Sequence, residues 1–312
     1  MVDQQTLERA AALIRQGRLV AFPTETVYGL GANALDAGAV ARIYQAKGRP
    51  PRSPVIVHVD SLEMARGLAR VWPPEAETLA RRYWPGPLTL VVPKQASVPD
   101  VVTAGLDTVG LRMPAHPVAL ALIRAAGLPI AAPSANHFTR LSPTTAEHVR
   151  DSLGEAVDLI LDGGPTAVGI ESTVLALAAE RPRLLRPGAV TKEQIEALIG
   201  PVEVAGRIEN GAAAHVSPGM HPRHYSPATR LLVVENDALP QDGRGAYLWL
   251  RRPAEAARSI GMPPHAADYA AVLYDTLHQL DREGLDWIAV EMPPDSAEWA
   301  AVHDRLQRAA SR

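Results

Sequence analysis

The chain has no cysteine, only two phenylalanines and, among 31 basic residues, only three lysines (47, 94 and 192) in 312 residues. Without cysteine there is no disulfide, no thiolate metal ligand and no thiol redox chemistry. A formal net charge of −3 argues against a chain that coats nucleic acid nonspecifically. No apolar run approaches the ~18 residues of a membrane span, so no membrane association is expected. The opening residues carry Asp3 and Glu8 rather than a basic-then-apolar leader. A secretory signal is therefore not expected, and the cytoplasm is the expected location. Walker-type and G-x-S-x-G patterns are also missing, so neither a P-loop nor a serine-hydrolase elbow is indicated.

Hydrophobic residues make up 47% of the chain, ample for a core, and the length allows one large domain or two. Charge is unevenly spread. From Thr229 to Arg312 there are 13 acidic and 9 basic residues, and the remainder holds 21 and 22. The more basic remainder suits a polyphosphate ligand.

Gly17–His58 is the stretch around which the chain is organised. Leu19–Phe22 is a short apolar run, expected to be a buried strand that stops at Pro23. Thr24–Gly31 is hydroxyl-rich and punctuated by glycine, a loop. Asp36 suits an N-cap, and Val40, Ile43 and Tyr44 give the next helix its apolar stripe. Pro50 ends that helix just past Lys47 and Arg49, and Val55–His58 reads as the following strand.

Helices are expected over 3–16, 61–70, 75–83 and 116–126, from a Thr144 cap, and from a Thr191 cap through Ile199. Strands are expected at Leu88–Val92, Val109–Met113, Pro129–Ala132, Val157–Leu161, Ser172–Leu177 and Arg183–Arg186. This irregular alternation predicts an α/β domain with a mixed sheet over 1–205. Residues 206–228 are rich in Gly, Ala, Pro and His, with no helical or strand period, and read as a linker. Its scattered histidines, with no Cys and no helical HxxxH, are a poor metal site. Over 229–312, strands at Leu231–Val234, Ala246–Leu250 and Ile288–Val290 alternate with helices at 253–260, 267–283 and 296–309. That predicts a small Rossmann-like parallel-sheet domain. It lacks G-x-G-x-x-G, so a docking or regulatory role is expected of it rather than nucleotide binding.

The order of several motifs is more specific than any of them singly. PTETVYGLG is followed by KGRP, SPVIVH, WPGPLTLV (Trp84–Val91), VGLRMP (Val109–Pro114), APSAN (Ala132–Asn136), STV (Ser172–Val174) and LRPG (Leu185–Gly188). This series spans about two-thirds of the chain and resembles the YrdC/Sua5 family, the threonylcarbamoyl-AMP synthases. H-x-S-P-G-M-H-x-x-H-Y-x-P resembles the interdomain loop of the longer, Sua5-type members. The lack of cysteine argues against the related carbamoyltransferase maturation proteins, in which a similar module adjoins zinc fingers.

The resemblance implies a twisted open sheet with a large concave surface. It also implies synthesis of threonylcarbamoyl-AMP and pyrophosphate from L-threonine, bicarbonate or carbon dioxide, and ATP with Mg2+. The product would pass to downstream proteins that transfer it to tRNA. Lys47, Arg49, Ser53, Thr108, Ser134, Ser142, Arg186 and Tyr225 match ATP positions, and Thr26, His58, Arg112, Ala132 and Ser172 match the threonine pocket. Ser53 stands where the family often has Asn. Arg112, a cation between apolar Leu111 and Met113, calls for an anionic partner such as a substrate carboxylate. Residues 206–228, with Met220, His221, His224 and Tyr225, are expected to form a lid that keeps water from the mixed anhydride.

Two other readings stand beside this one. A double-stranded RNA or tRNA-binding module would need many exposed cations, against the near-neutral charge. A sugar-phosphate lyase would need a metal-binding carboxylate cluster near the opening loop, where only Glu25 is obvious.

Overall fold

The computed structural model describes residues 2–205, 224–235 and 238–311. The first part runs α1 (Gln4–Arg15), β1 (Val20–Pro23), β2 (Tyr28–Asn33), α2 (Ala37–Lys47), β3 (Val57–His58), α3 (Leu62–Leu68), α4 (Pro74–Tyr83), β4 (Leu88–Pro93), α5 (Asp100–Thr103), β5 (Thr108–Arg112), α6 (Pro117–Ala126), β6 (Ile130–Ala131), α7 (Ala146–Leu153), β7 (Leu159–Ile160), β8 (Thr173–Ala176), β9 (Arg183–Arg186), α8 (Lys192–Ile199) and β10 (Glu203–Val204). The second adds β11 (Arg230–Val234), β12 (Gly245–Trp249), β13 (Arg258–Gly261), α9 (Ala266–Asp281), β14 (Trp287–Glu291) and α10 (Ala300–Ala310).

Local signals set most boundaries. Asp36 accepts from the backbone N–H groups of Gly38 and Ala39 and so starts α2. Gly48, at φ +60°, ends it in the left-handed conformation, two residues before Pro50. Helix α8 opens with a reciprocal capping box between Thr191 and Gln194. Helix α7 is capped by Thr145 rather than Thr144, because only the Thr145 hydroxyl accepts from His148 N. Pro23 stays in β1, paired with Tyr28, and the expected loop gives way to β2 from Tyr28 onward. Tyr28 and Leu30 are fully buried, and that burial commits their segment to the sheet.

Ten strands form one mixed sheet in the order β10-β9-β8-β4-β5-β3-β6-β2-β1-β7. Its short central strand β3 lies between β5 and β6, pairing His58 with Arg112 on one side and with Ile130 on the other. Only Val57 and His58 of the expected Val55–His58 strand make ladder pairs. The second sheet, β11-β14-β12-β13, is parallel throughout. The α/β architecture, mixed sheet and smaller parallel sheet are as expected from sequence.

Residues 253–260 are not a helix. Arg258–Gly261 is the edge strand β13, paired with β12. Ala254 and Ala256, which suggest helix by composition, instead pack on the sheet face away from α9 and α10. The opposite face shares a core with α9 and α10, and Val27, Leu141, Ile170 and Tyr225 of the preceding chain join it. Gly169, at φ +77°, lies flush on α9, where an added Cβ would come within 2.3 Å of the Ala270 carbonyl oxygen.

Candidate active site

The β1–β2 turn, the segment after α2, the ends of β3 and β5, the 132–134 loop and the start of β8 converge on one cleft of about 530 Å³ including its open mouth. At the turn, the Thr24 hydroxyl donates to Val27 O at 2.7 Å and lies 2.8 Å from the Thr26 hydroxyl. The Thr26 side chain is thereby fixed at the cleft wall. Thr26, Arg49, His58, Arg112, Ala132, Ser134, Ser172, Arg186 and Tyr225 all line the cleft. Thr108 instead lines a smaller adjoining pocket with Pro54, Ile56 and Thr89.

Lys47, Ser53 and Ser142 stand behind the wall. The buried Lys47 amine donates to Ser134 O at 2.5 Å and, closer still, to Asn136 O. Burial, with Arg49 nearby, holds its pKa well below the ordinary lysine range. Here it braces the loop that carries Ser134. Ser53 accepts from Arg49 Nη2 at 2.7 Å, and Pro54 O accepts from the same nitrogen at 2.9 Å. Arg49 Nε is buried without a partner among the described residues, and burial pushes the guanidinium down to about 10. An oriented, incompletely satisfied guanidinium facing a cleft is suited to an incoming oxyanion.

Arg112 already has an anionic partner. Its Nη2 meets Glu25 Oε1 at 2.7 Å and its Nε donates to Gly86 O, so it is not the isolated cation that its apolar neighbours suggest. The other Glu25 oxygen accepts from Ala115 N. His58 packs edge-on against Phe22. Burial, reinforced by Arg112, pushes its imidazole down to about 3, so it is neutral near pH 7. Its Nδ1 is another buried atom without a partner among the described residues. The Ser172 hydroxyl lies 2.8 Å from that of Thr89 and accepts from Arg186 Nη2 at 3.2 Å.

Glu171 escaped the sequence reading. It lines the cleft, yet its carboxylate accepts from Ser142 at 2.5 Å, from Arg305 Nε at 2.7 Å and from Tyr274 at 3.3 Å. Burial alone would raise its pKa, but Arg305, Arg186 and these hydrogen bonds hold it below the usual carboxylate range. Tyr225, at φ +63°, puts its ring in the cleft wall 5.2 Å from the Arg305 guanidinium carbon. Residues 206–223 of the expected lid, including Met220 and His221, lie outside the described residues.

Residues 12–188 match the family described as telomere recombination, Sua5/YciO/YrdC, and residues 190–311 match the C-terminal domain of threonylcarbamoyl-AMP synthase. The chain belongs to the Sua5/YciO/YrdC family. It is similar to the threonylcarbamoyl-AMP synthase of Bacillus subtilis, at 45% identity over 97% of this chain and 92% of that one. The corresponding synthase of Pyrococcus abyssi is 44% identical over 99% and 95%. The crystal structure of P. abyssi Sua5 complexed with L-threonine superposes with a TM-score of 0.93 at 42% identity, covering 99% of this chain and 95% of that one. In this Sua5-type arrangement both units are present, and His224 and Tyr225, the first residues described after Ala205, both line the cleft.

Proposed function

We propose that this cleft joins L-threonine, bicarbonate or carbon dioxide, and ATP into threonylcarbamoyl-AMP, releasing pyrophosphate. The carrying observation is the convergence of three buried arginines, Arg49, Arg112 and Arg186, with the Thr26, Ser134 and Ser172 hydroxyls on one wall. In the reaction the threonine amine loses a proton and adds to the carbon source, giving an N-carboxylate, with water as by-product if that source is bicarbonate. One oxygen of that carboxylate attacks the α-phosphorus of ATP, and the bond to the β-phosphate oxygen breaks. No protein nucleophile is required. The residues act by holding two anions together and by balancing charge as pyrophosphate departs.

In this reading Arg112 is shared between Glu25 and the threonine carboxylate, and neutral His58, Thr26, Ala132 and Ser172 shape the amino-acid side. Arg49, Ser134, Arg186 and Tyr225 face the nucleotide, with Thr108 in the adjoining pocket. Lys47, Ser53 and Ser142 position these contacts from behind. Among the described residues no group of three or more His, Asp or Glu could hold a metal, and magnesium enters as the ATP complex. The product passes to proteins that transfer threonylcarbamoyl to tRNA, and the work is done in the cytoplasm. No helix among the described residues is long and apolar enough to cross a membrane. The testing measurement is pyrophosphate release with ATP, magnesium, bicarbonate and each amino acid in turn. Release that is indifferent to threonine would overturn the assignment, whereas retention of duplex RNA without turnover would favour a binding module.

A further inference from the structure

The last helix of the second unit reaches into the wall of the cleft. Arg305 is 1% exposed, one of the large, fully buried side chains among the described residues. Its Nε donates to Glu171 Oε2 at 2.7 Å, and Nη2 to the Glu171 carbonyl at 3.3 Å. Its Nη1 donates to Asp304, which also accepts from Arg308. Its guanidinium carbon lies over the Tyr225 ring, 5.2 Å from the ring centroid. Two residues before Glu171, Gly169 lies so close to the α9 backbone that an added Cβ would come within 2.3 Å of the Ala270 carbonyl oxygen.

We propose that Arg305 is a positioning residue for ATP. It neutralises the cleft-lining carboxylate of Glu171 and supports the Tyr225 ring, so that a polyphosphate can lie against this wall. The inference rests on the reading of the cleft as the ATP site. Its physical basis is charge. An ionised carboxylate facing a triphosphate repels it strongly in a low-dielectric wall, and a buried ion pair broken on one side leaves that charge uncompensated. Both Ser142 and Arg186, which belong to the nucleotide side, act on the same carboxylate. The second unit thereby adds, behind the cleft lining, a second cation to the one that Arg186 supplies to Glu171. Helices α9 and α10 supply Tyr274 and Arg305 to Glu171, so docking of this unit and readiness of the nucleotide wall are one event.

The test measures binding of a non-hydrolysable ATP analogue and of L-threonine to the full chain by calorimetry. Arg305→Met should weaken the ATP analogue tenfold or more and change threonine affinity less than about twofold. Glu171→Gln combined with Arg305→Met removes the stranded charge and should return analogue affinity to within about threefold of wild type. An Arg305→Met chain that binds the analogue normally would overturn the proposal, as would a double variant no better than the single one. If Arg305→Met does not fold, the double variant carries the test alone, with near-normal analogue binding in support and a tenfold loss against. Failure of the unaltered chain to bind the analogue would instead overturn the ATP reading of the cleft.

Discussion

The first sheet opens onto a cleft in which Arg49 keeps an unpartnered Nε and, among the described residues, has no carboxylate beside it, whereas the second sheet closes its carboxyl edge with its own Glu291. Glu291 is the last residue of β14. Its Oε2 accepts from the consecutive backbone N–H groups of Leu250 and Arg251 at 2.7 and 3.0 Å, and its Oε1 from Arg251 Nε at 2.5 Å. Parallel α/β sheets ordinarily receive ligands beyond the carboxyl ends of their strands. Here the side chain of the protein occupies the donors that an anion would need. The topology that most suggests a nucleotide is thus the one already satisfied, and the less regular mixed sheet holds donors in reserve. Which donors remain open is a better guide to function than strand order.

The sharpest way to break this comparison is to remove the open cation. Arg49→Ala should lower kcat/KM for pyrophosphate release by about a hundredfold or more, the scale for loss of one oriented donor to developing charge. Arg49→Lys should not restore it, because a single ammonium held by Ser53 and Pro54 as Nη2 is held has no further nitrogen to offer an anion. Turnover near that of the unaltered chain in Arg49→Ala would remove this residue from the site.

Arg112→Ala should raise the threonine KM about tenfold or more, with ATP affinity little changed, since a charge-assisted contact is worth about 1.5–3 kcal/mol. The variant also leaves Glu25 buried and unpaired, so stability must be followed in parallel. Unchanged threonine saturation together with lost ATP binding would place Arg112 on the nucleotide side instead.

Lys47→Met tests whether that amine braces the protein or meets the ligand. With the Asn136 carbonyl left unpaired and the Ser134 carbonyl keeping only the Asn136 N–H, the chain should lose on the order of 1–3 kcal/mol of stability. A melting curve settles it. An unchanged Tm with weakened ATP binding would show that Lys47 turns outward to the phosphates.

The contact between the units offers a pH test. His148 of α7 and His278 of α9 stack at 3.8 Å, and burial pushes both imidazoles down to about 4. These folded-state values lie below the ordinary 6.5, so the unfolded chain binds more protons between pH 6.5 and 4. Stability should therefore be fully present above pH 6.5 and decline as the pH falls through that window, at up to about 1.4 kcal/mol per pH unit for each group. The partly exposed His148–Asp275 contact, at 3.4 Å, moderates the slope. Chemical denaturation of His148→Gln/His278→Gln at pH 7 and pH 5 should show a smaller acid loss than the unaltered chain. Equal acid losses would exclude the pair as the cause.

Much of this was legible where the signal is local. Asp36, Gly17 and Thr191 announce their helix boundaries, and the motif series places most of the residues that meet in the cleft. What was hidden is long-range. Glu25 answers Arg112 from 87 positions away, and Arg305 answers Glu171 from 134. No local period records either pairing. Lys47, which the motif series places with the nucleotide, is the last residue of α2, and the carbonyls of Ser134 and Asn136 receive its amine. Residues 253–260 read as helix, and packing of Ala254 and Ala256 on the outer face of the second sheet overrides that preference.

The smallest expected effect is at Glu291, and it sharpens the comparison from the closed side. Glu291→Gln keeps the shape of the side chain but removes the charge that receives two backbone amides and Arg251. Its amide group must also turn one donor toward donors already present. The loss should be about 1–3 kcal/mol in the stability of the second unit. Because this carboxylate lies at the far sheet and lines no part of the cleft, KM for threonine and ATP and kcat should stay within about twofold of the unaltered chain. If the substitution instead frees the Leu250 and Arg251 donors, phosphate should raise the Tm of Glu291→Gln more than that of the unaltered chain, since a ligand that binds only the folded form stabilises it. A tenfold kinetic loss at unchanged stability would contradict the division between an open and a closed sheet end, by showing that the second edge takes part in the chemistry.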